Sequence, residues 1–467
     1  MRTPRRNERK RNGVTLLATA IAAAAILPMV GLAIDSALLY AVKAKLQAAV
    51  DAAALAGARS LNRGMDLASQ AESARQTAEN FFNANFPPGH LGTTNRSLSV
   101  NVAETDYRTR TVRAEAAVDV PAYFLRLLGF DSNRLQAAGT ASRRDVNLVL
   151  VLDRSSSMSG AMTAMRNAAR AFVDRFAEGR DNVGLIVFGG SALVAFPNPS
   201  PYGPTSNFKS ASPSVSTLIQ NTVNGGNTGT AQALWLAYQE LKKRNEAGAL
   251  NLIVFFTDGL PNGIVADFNS SDPAQNLLRT TSGCKYRLAA GRPMLGFISQ
   301  KSGFAPTGTT AGIKRIDGST VSSINEGPIQ TNSDGCAYRT NENYMRQDVA
   351  RMPAVDYYGN PTTGYVPVDL TRVDSPQQIG YASLNAADSA VMRIRQDTAL
   401  NVIIYSIGYH GGTEEPDENW LRRISNDPAS PDFDASRPAG LYVKAPTTAD
   451  LAGAFSKVAS EILRLAL

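Results

Sequence analysis

Asn147-Leu-Val-Leu-Val-Leu-Asp153, followed at once by Arg154-Ser155-Ser156-Ser157, is the stretch whose reading decides the fold. An apolar run without polar alternation reads as a strand buried on both faces, the habit of a parallel sheet. It stops on a carboxylate, so oxygen ligands stand where that strand would surface. A second run, Asn251-Leu-Ile-Val-Phe-Phe-Thr257, ends in Asp258-Gly259, and between the two lies Gly225-Gly-Asn-Thr228-Gly-Thr-Ala-Gln-Ala-Leu234. Together these offer the carboxylates of Asp153 and Asp258 and the hydroxyls of Ser155, Ser157 and Thr228.

Those residue types point to coordination chemistry. Small hard dications such as Mg²⁺ take an octahedron of oxygens and give up their waters reluctantly, which suits a site built largely from hydroxyls. Neutral hydroxyls leave the cation's charge poorly neutralised, so the metal would attract a carboxylate from a partner to complete its coordination. The D-x-S-x-S spacing taken alone is also ordinary turn and helix-cap chemistry. Three motifs in order, each at a strand end or before a helix, favour the metal. Arg154 reads as a solvated cation beside the site, with attraction of an acidic ligand as the alternative.

With D-x-S-x-S, Gly-Gly-x-Thr before a helix, and a strand ending T-D-G, residues 147–467 resemble a von Willebrand factor A domain. That resemblance implies a metal-ion-dependent adhesion site binding Mg²⁺ or Mn²⁺. Asp153, Ser155 and Ser157 fall on its first motif, Thr228 on the isolated threonine and Asp258 on the final aspartate.

The remaining pattern agrees with an α/β fold with a doubly wound, mostly parallel sheet. Met162 to Phe176 carries apolar residues at helical spacing, and Val183–Phe188 with Ala192–Phe196 reads as a hairpin around Gly189-Gly190. Thr230–Lys243 is helical, Val402–Ile407 a strand, Trp420–Ile424 a short helix, Leu441–Val443 an edge strand, and Asp450–Leu465 an amphipathic closing helix. The resemblance to the A domain implies that the strands ending at Asp153 and Asp258 lie side by side where the winding reverses, the place where open α/β sheets bind ligands.

The amino terminus tells a different story. Residues 1–12 hold six basic side chains against Glu8, a net +5, so the formal +7 of the chain leaves only +2 for the rest. The basic balance is therefore a topology signal, and nothing in it calls for nucleic acid. Residues 13–34 are uncharged and mainly apolar, enough for about 33 Å of helix and hence a bilayer crossing. The basic flank places the amino terminus in the cytoplasm and the remainder outside. A cleaved signal peptide, with Gly31-Leu-Ala33 as small-x-small cleavage pattern, is the alternative. Against it, the apolar stretch is long and the helical pattern runs on through Leu38, Val42, Leu46 and Val50 to about residue 60.

The basic tail, Gly13-Val-Thr-Leu-Leu, Gly31-Leu-Ala-Ile-Asp35, Tyr40 and Leu46-Gln-Ala-Ala-Val-Asp51-Ala-Ala-Ala-Leu-Ala-Gly57 resemble the N-terminal region of TadE/TadG-like proteins of the bacterial tight-adherence (Flp) pilus machinery. TadG-type members join this region to a von Willebrand A domain. The resemblance implies a single-pass protein of the bacterial inner membrane, with its main domain periplasmic or extracellular. Pilin-like members are processed after a glycine and carry a glutamate near the start of the mature helix. Gly13 is followed here by Val14-Thr-Leu-Leu-Ala18, so processing and polymerisation are not implied.

Residues 61–145 read as a small α+β module or stalk: a helix over Met65–Phe86, alternating strands at Leu98–Ala103 and Thr111–Val120, and a third at Gln136–Ser142. Phe124-Leu-Arg-Leu-Leu-Gly-Phe130 reads as a short core helix, with a membrane-leaning or partner-binding patch as the alternative. The A-like region, 146–467, is interrupted at about 262–383 by a polar excursion emerging beside Asp258 and placed to roof the site. It holds Cys284 and Cys336, the chain's two cysteines. In an exported chain an even pair reads as a disulfide, with a loop-closure gain of roughly 4 kcal/mol.

No enzyme is expected. A serine nucleophile needs a base, and the A-like region has only His410, in a glycine-rich stretch. No nucleotide-binding glycine loop is present. The leading reading is a membrane-anchored pilus-assembly component whose exported domain binds, through metal, an acidic residue of a machinery partner or colonised surface. A structural envelope or adhesin protein with an incidental metal is the alternative. A chelatase or ATPase subunit is disfavoured by the exported topology.

Overall fold

A single helix, α1 (Glu8–Ser60), runs through the apolar stretch and far beyond it. From Leu16 it is long and apolar enough to cross a membrane, and its side chains from Leu16 to Val30 are all exposed. The computed structural model describes residues 8–190, 192–246, 249–267, 295–300, 351–372, 375–412 and 415–466. They divide into two units, Met1–Arg63 with Leu67–Arg143, and Arg144–Ala466 with Gly64–Asp66.

In the first unit α1 is followed by α2 (Leu67–Asn85) and three strands, β1 (Thr94–Asp106), β2 (Thr109–Pro121) and β3 (Ser132–Arg144), with β2 central. Strand β2 alternates buried and exposed because one face is covered. Its Ala114, Ala116, Val118 and Val120 join Val42, Leu46, Val50 and Ala53 of α1 and Phe82 of α2 in one core. The connection from β2 to β3 departs from the expected core helix. It holds one 3-10 turn, Leu125–Leu128, and leaves Tyr123, Phe124 and Phe130 exposed.

The second unit is a six-stranded sheet. Its strands are β4 (Val146–Asp153), β5 (Asn182–Phe188), β6 (Ala192–Phe196), β7 (Leu250–Thr257), β10 (Ile403–Tyr409) and β11 (Leu441–Ala445), in spatial order β11-β10-β7-β4-β5-β6. All neighbours are parallel except the β5–β6 hairpin. A separate hairpin, β8 (Gly263–Asp267) with β9 (Leu295–Ser299), leaves the sheet just after β7. Every residue of β4 is buried. Its Leu148, Leu150 and Leu152 face α3 (Met162–Val173), α4 (Val215–Asn221) and α8 (Leu451–Leu465). Val149 and Val151 face α5 (Thr230–Arg244), α6 (Pro376–Gln396) and α7 (Glu418–Ser425). Helices on both faces explain why the strands lack polar alternation.

Helix α6 begins at Pro376, so the last part of the segment read as a polar excursion to about Ser383 belongs to the layer covering the sheet. Its N-cap is Ser375, whose hydroxyl accepts the Gln378 amide, and the proline sits in the first turn where its missing N–H costs nothing. Cys284 and Cys336 lie outside the described residues, and so does their expected pairing.

Register is locked by three asparagines at the amino ends of the central strands. Asn147 stands opposite Asn182 in β5 and Asn251 in β7. Asn182 Nδ2 donates to Asn147 Oδ1 at 2.7 Å, Asn147 Nδ2 donates to Asn251 Oδ1 at 3.0 Å, and Asn251 Nδ2 donates to the Leu400 backbone carbonyl at 2.9 Å. All three side chains are buried. A one-residue slip would strand these amides in the core and misalign the strand ends. Asn147→Ala, which orphans a donor and an acceptor at once, is expected to cost roughly 2–4 kcal/mol in urea unfolding of the detergent-solubilised chain. A loss below about 1 kcal/mol would mean that the ladder does not hold the register.

Candidate metal centre

Because β4 and β7 run parallel with Leu152 opposite Phe256, their chains leave the sheet together. Asp153 ends one strand, and Thr257 and Asp258 end the other. Thr257 donates to Asp153 Oδ2 at 2.6 Å, and the Ser155 amide donates to Asp153 Oδ1 at 2.7 Å. Asp153 is thus pinned between its own loop and the neighbouring strand.

A 3-10 turn at Ser156–Gly160 folds the loop back over the sheet end. Ser155 and Ser157, two residues apart, bring their hydroxyls within 3.0 Å of each other. Both donate to Asp258 Oδ1, at 3.3 Å from Ser155 and 2.9 Å from Ser157. The other carboxylate oxygen, Asp258 Oδ2, is buried with no hydrogen-bond partner.

Thr228 reaches the same rim through its backbone. Its amide donates to Asn262 Oδ1 at 2.7 Å, and the Asn262 amide donates back to its carbonyl at 3.0 Å. The loop before it is tied to the serine loop by bonds from Gly225 to Arg154 and from Ser156 to Gly226. Glycine is required in this layer: a Cβ on Gly189 would lie 2.4 Å from the Gly225 carbonyl, and Gly226 has a φ of +89°.

Of the five residues singled out in the sequence, Asp153, Ser155, Ser157 and Asp258 are joined by hydrogen bonds among themselves or through Thr257. Thr228 stands on the adjoining loop. Sequence reasoning missed Thr257 and Asn262, since nothing local reveals which distant chain a threonine or asparagine will bond. It also misjudged Arg154, which is buried and donates to the Val223 carbonyl at 2.8 Å, under the loop leading to Thr228. Burial lowers its guanidinium to about 10 while the charge of Asp153 opposes the shift. His410 is hydrogen-bonded to Tyr442 Oη at 2.7 Å.

Electrostatics follow from geometry. Burial raises Asp153 above the usual carboxylate range, against the pull of Thr257 and Ser155. Asp258 is pushed up to about 7, first by burial and then by the charge of Asp153, against the two serine hydroxyls. An orphaned buried carboxylate oxygen beside a second carboxylate and two clustered hydroxyls is a donor set that fits a hard divalent cation. The residues that would hold it are Asp153, Ser155, Ser157 and Asp258, with Thr228 at the rim.

Comparison with known proteins identifies the two regions. Residues 148–260 match the family model of the von Willebrand factor type A domain, and residues 13–60 match that of the putative Flp pilus-assembly TadE/G-like family. The chain therefore joins a TadE/G-like region to a von Willebrand factor type A domain. No curated protein matches. Among solved structures, the chain is similar to the open conformation of the pilus adhesin SpaC from Lactobacillus rhamnosus GG, at 12% identity and a TM-score of 0.36, over 79% of this chain and 34% of that one. It is similar to a von Willebrand factor type A protein from Catenulispora acidiphila at 10% identity and a TM-score of 0.35, over 79% of this chain and 50% of that one. The vWF domain of the type V pili tip protein Mfa5 from Porphyromonas gingivalis gives 14% identity and a TM-score of 0.37, over 70% of this chain and 98% of that one. The chain thus spans a third to a half of the first two proteins.

The raised pair has a pH signature with a definite sign. Asp258 has a higher pKa folded than unfolded, so its contribution is complete below pH 4 and is lost as pH rises through about 7. In EDTA, Asp258→Asn should gain on the unsubstituted chain by roughly 2–3 kcal/mol between pH 5 and pH 8, measured by chemical denaturation. A difference independent of pH would show that Asp258 titrates normally.

Proposed function

We propose that this chain is a membrane-anchored component of a tight-adherence (Flp) pilus apparatus that grips an acidic residue of a partner protein through Mg²⁺ or Mn²⁺ in its A domain. The observation that carries the metal reading is the Asp258 carboxylate, one oxygen held by two serine hydroxyls and the other buried without a partner. A bound divalent cation would supply an electrophilic centre for the partner's carboxylate. The protein's own residues do the rest. Asp153, fixed by Thr257 and the Ser155 amide, supplies charge at a set position. Ser155 and Ser157 supply neutral oxygens, which leave the centre attractive to an anion. Asn262 ties the Thr228 loop to the residues after Asp258, so that the rim cannot spread.

The TadE/G-like match over 13–60 supports the pilus assignment, and the apolar helix supports the anchor. With the basic tail cytoplasmic, a single crossing of the bacterial inner membrane puts the A domain outside, in the periplasm or beyond. The role proposed is binding: His410 is engaged by Tyr442, and both serine hydroxyls are turned onto the Asp258 carboxylate at the candidate metal position. The partner is a machinery protein or a surface ligand presenting a carboxylate.

Two variants test this, because Asp153 also braces the fold. The detergent-solubilised chain should melt at a higher temperature in Mg²⁺ or Mn²⁺ than in EDTA, the stability gain being about 2.7 kcal/mol at a hundredfold excess over Kd. Asp153→Ala and the double variant Ser155→Ala/Ser157→Ala should both lose the response. Partners captured from envelope extracts should release in EDTA and fail to bind the double variant. Capture that ignores both metal and variant would favour the structural alternative, in which the metal is incidental.

A further inference from the structure

Asp35 ends the apolar stretch, and its carboxylate does not face solvent. It accepts the backbone amides of three successive residues in the β2–β3 connection: Tyr123 at 3.1 Å, Phe124 at 2.9 Å and Leu125 at 2.7 Å. One turn earlier on the same helix face, Gly31 is buried beneath Phe124, where a Cβ would lie 2.5 Å from the phenyl ring. The connection is therefore seated on α1 at residues 31–35.

That depth decides what surrounds it. If residues 13–34 cross a bilayer, Gly31 lies about 5 Å inside the end of the apolar stretch, and Phe124 lies there with it. The connection leaves Tyr123, Phe124 and Phe130 at 60%, 41% and 58% exposure, and α1 exposes Val30, Leu32 and Ile34 on either side of Gly31. Aromatic side chains at the end of an apolar helix are the composition of a lipid interface. The backbone is prepared for the same place. The three amides on Asp35 are joined by Ala122 donating to the Asp131 carbonyl, Gly129 to Arg126 and Phe130 to Leu125, at 3.1, 3.0 and 3.2 Å. A loop entering a region poor in water must satisfy its amides in this way. The Arg126–Asp131 ion pair, 3.2 Å and exposed, gives the loop a polar edge for the headgroup layer.

We propose that residues 121–131 form a second membrane-contacting element, an aromatic loop lying in the outward lipid interface and held there by Asp35 and Gly31. The proposal rests on α1 being the membrane anchor. The loop sets how the first unit meets the bilayer, so that its sheet is seated on the membrane surface instead of swinging from one helix.

The test uses the full chain in vesicles of phosphatidylcholine with a minority of phosphatidylglycerol, with or without bromine on the acyl chains near the headgroups. Tryptophan is introduced singly as Phe130→Trp, Leu27→Trp or Tyr107→Trp, and emission is read as the difference from the unsubstituted chain, which has Trp235 and Trp420. Tyr107 is exposed at the opposite end of β2. Bromination should remove about half or more of the added emission at positions 27 and 130 and little at 107. Adding Asp35→Ala should release position 130 from quenching but not position 27. Position 27 quenched with 130 matching 107 would overturn the loop proposal alone, whereas position 27 unquenched would remove the anchor reading as well. Quenching at 130 that survives Asp35→Ala would overturn the role given to Asp35.

Discussion

The register between β4 and its two parallel neighbours is the constraint on which the site depends. Three asparagines at one end of these strands bond only when Asn147, Asn182 and Asn251 lie level. Buried amides tolerate no slippage, because each lost partner leaves a desolvated polar group in the core. At the other end the same alignment delivers Asp153 beside Thr257 and Asp258. The polar ladder thus trades some hydrophobic burial for a unique strand alignment, and the carboxylates are brought together by the sheet rather than by the loops that carry the hydroxyls.

Bringing two carboxylates to one buried spot is unfavourable in itself. Thr257, the Ser155 amide and two serine hydroxyls offset part of that cost, yet one oxygen of Asp258 is left with nothing to accept from. A buried carboxylate pair with one oxygen unpartnered is the kind of arrangement where function is expected. Glycines at 189, 225 and 226 let two loops approach closely enough to close the rim, and buried Arg154 sits under one of them. The result is a rigid cup of oxygens that a cation could relieve.

The strands were legible because their physics is local: continuous apolar runs ending in carboxylates need no knowledge of the rest of the chain. The neighbouring of β4 and β7 was expected from the strand order of the family that their T-D-G and D-x-S-x-S endings resemble. What escaped were choices made over long sequence separation. Asn147 and Asn251 begin the two apolar runs without showing a role, since a single strand cannot reveal that its asparagine meets another. Arg154 read as solvated because the covering loop comes some seventy residues later. Phe124–Phe130 has the apolar spacing of a core helix, yet it holds a single 3-10 turn, Leu125–Leu128, and the amides that lead into it are taken by Asp35, far away in sequence.

The two units place contrasting demands on carboxylates. Asp35 is buried and fully used by backbone amides, and it serves structure. Asp258 is buried and half used, and it points to a ligand. The central claim, that the second arrangement is a metal-dependent binding site, is tested most directly by Mn²⁺ electron paramagnetic resonance on the full chain in detergent. The account predicts that the chain removes the free-ion signal at one equivalent, and that acetate alters the bound-ion spectrum. Ser155→Ala/Ser157→Ala should leave the free signal intact while the circular dichroism is unchanged. Equal uptake by both chains, or none by either, would contradict it.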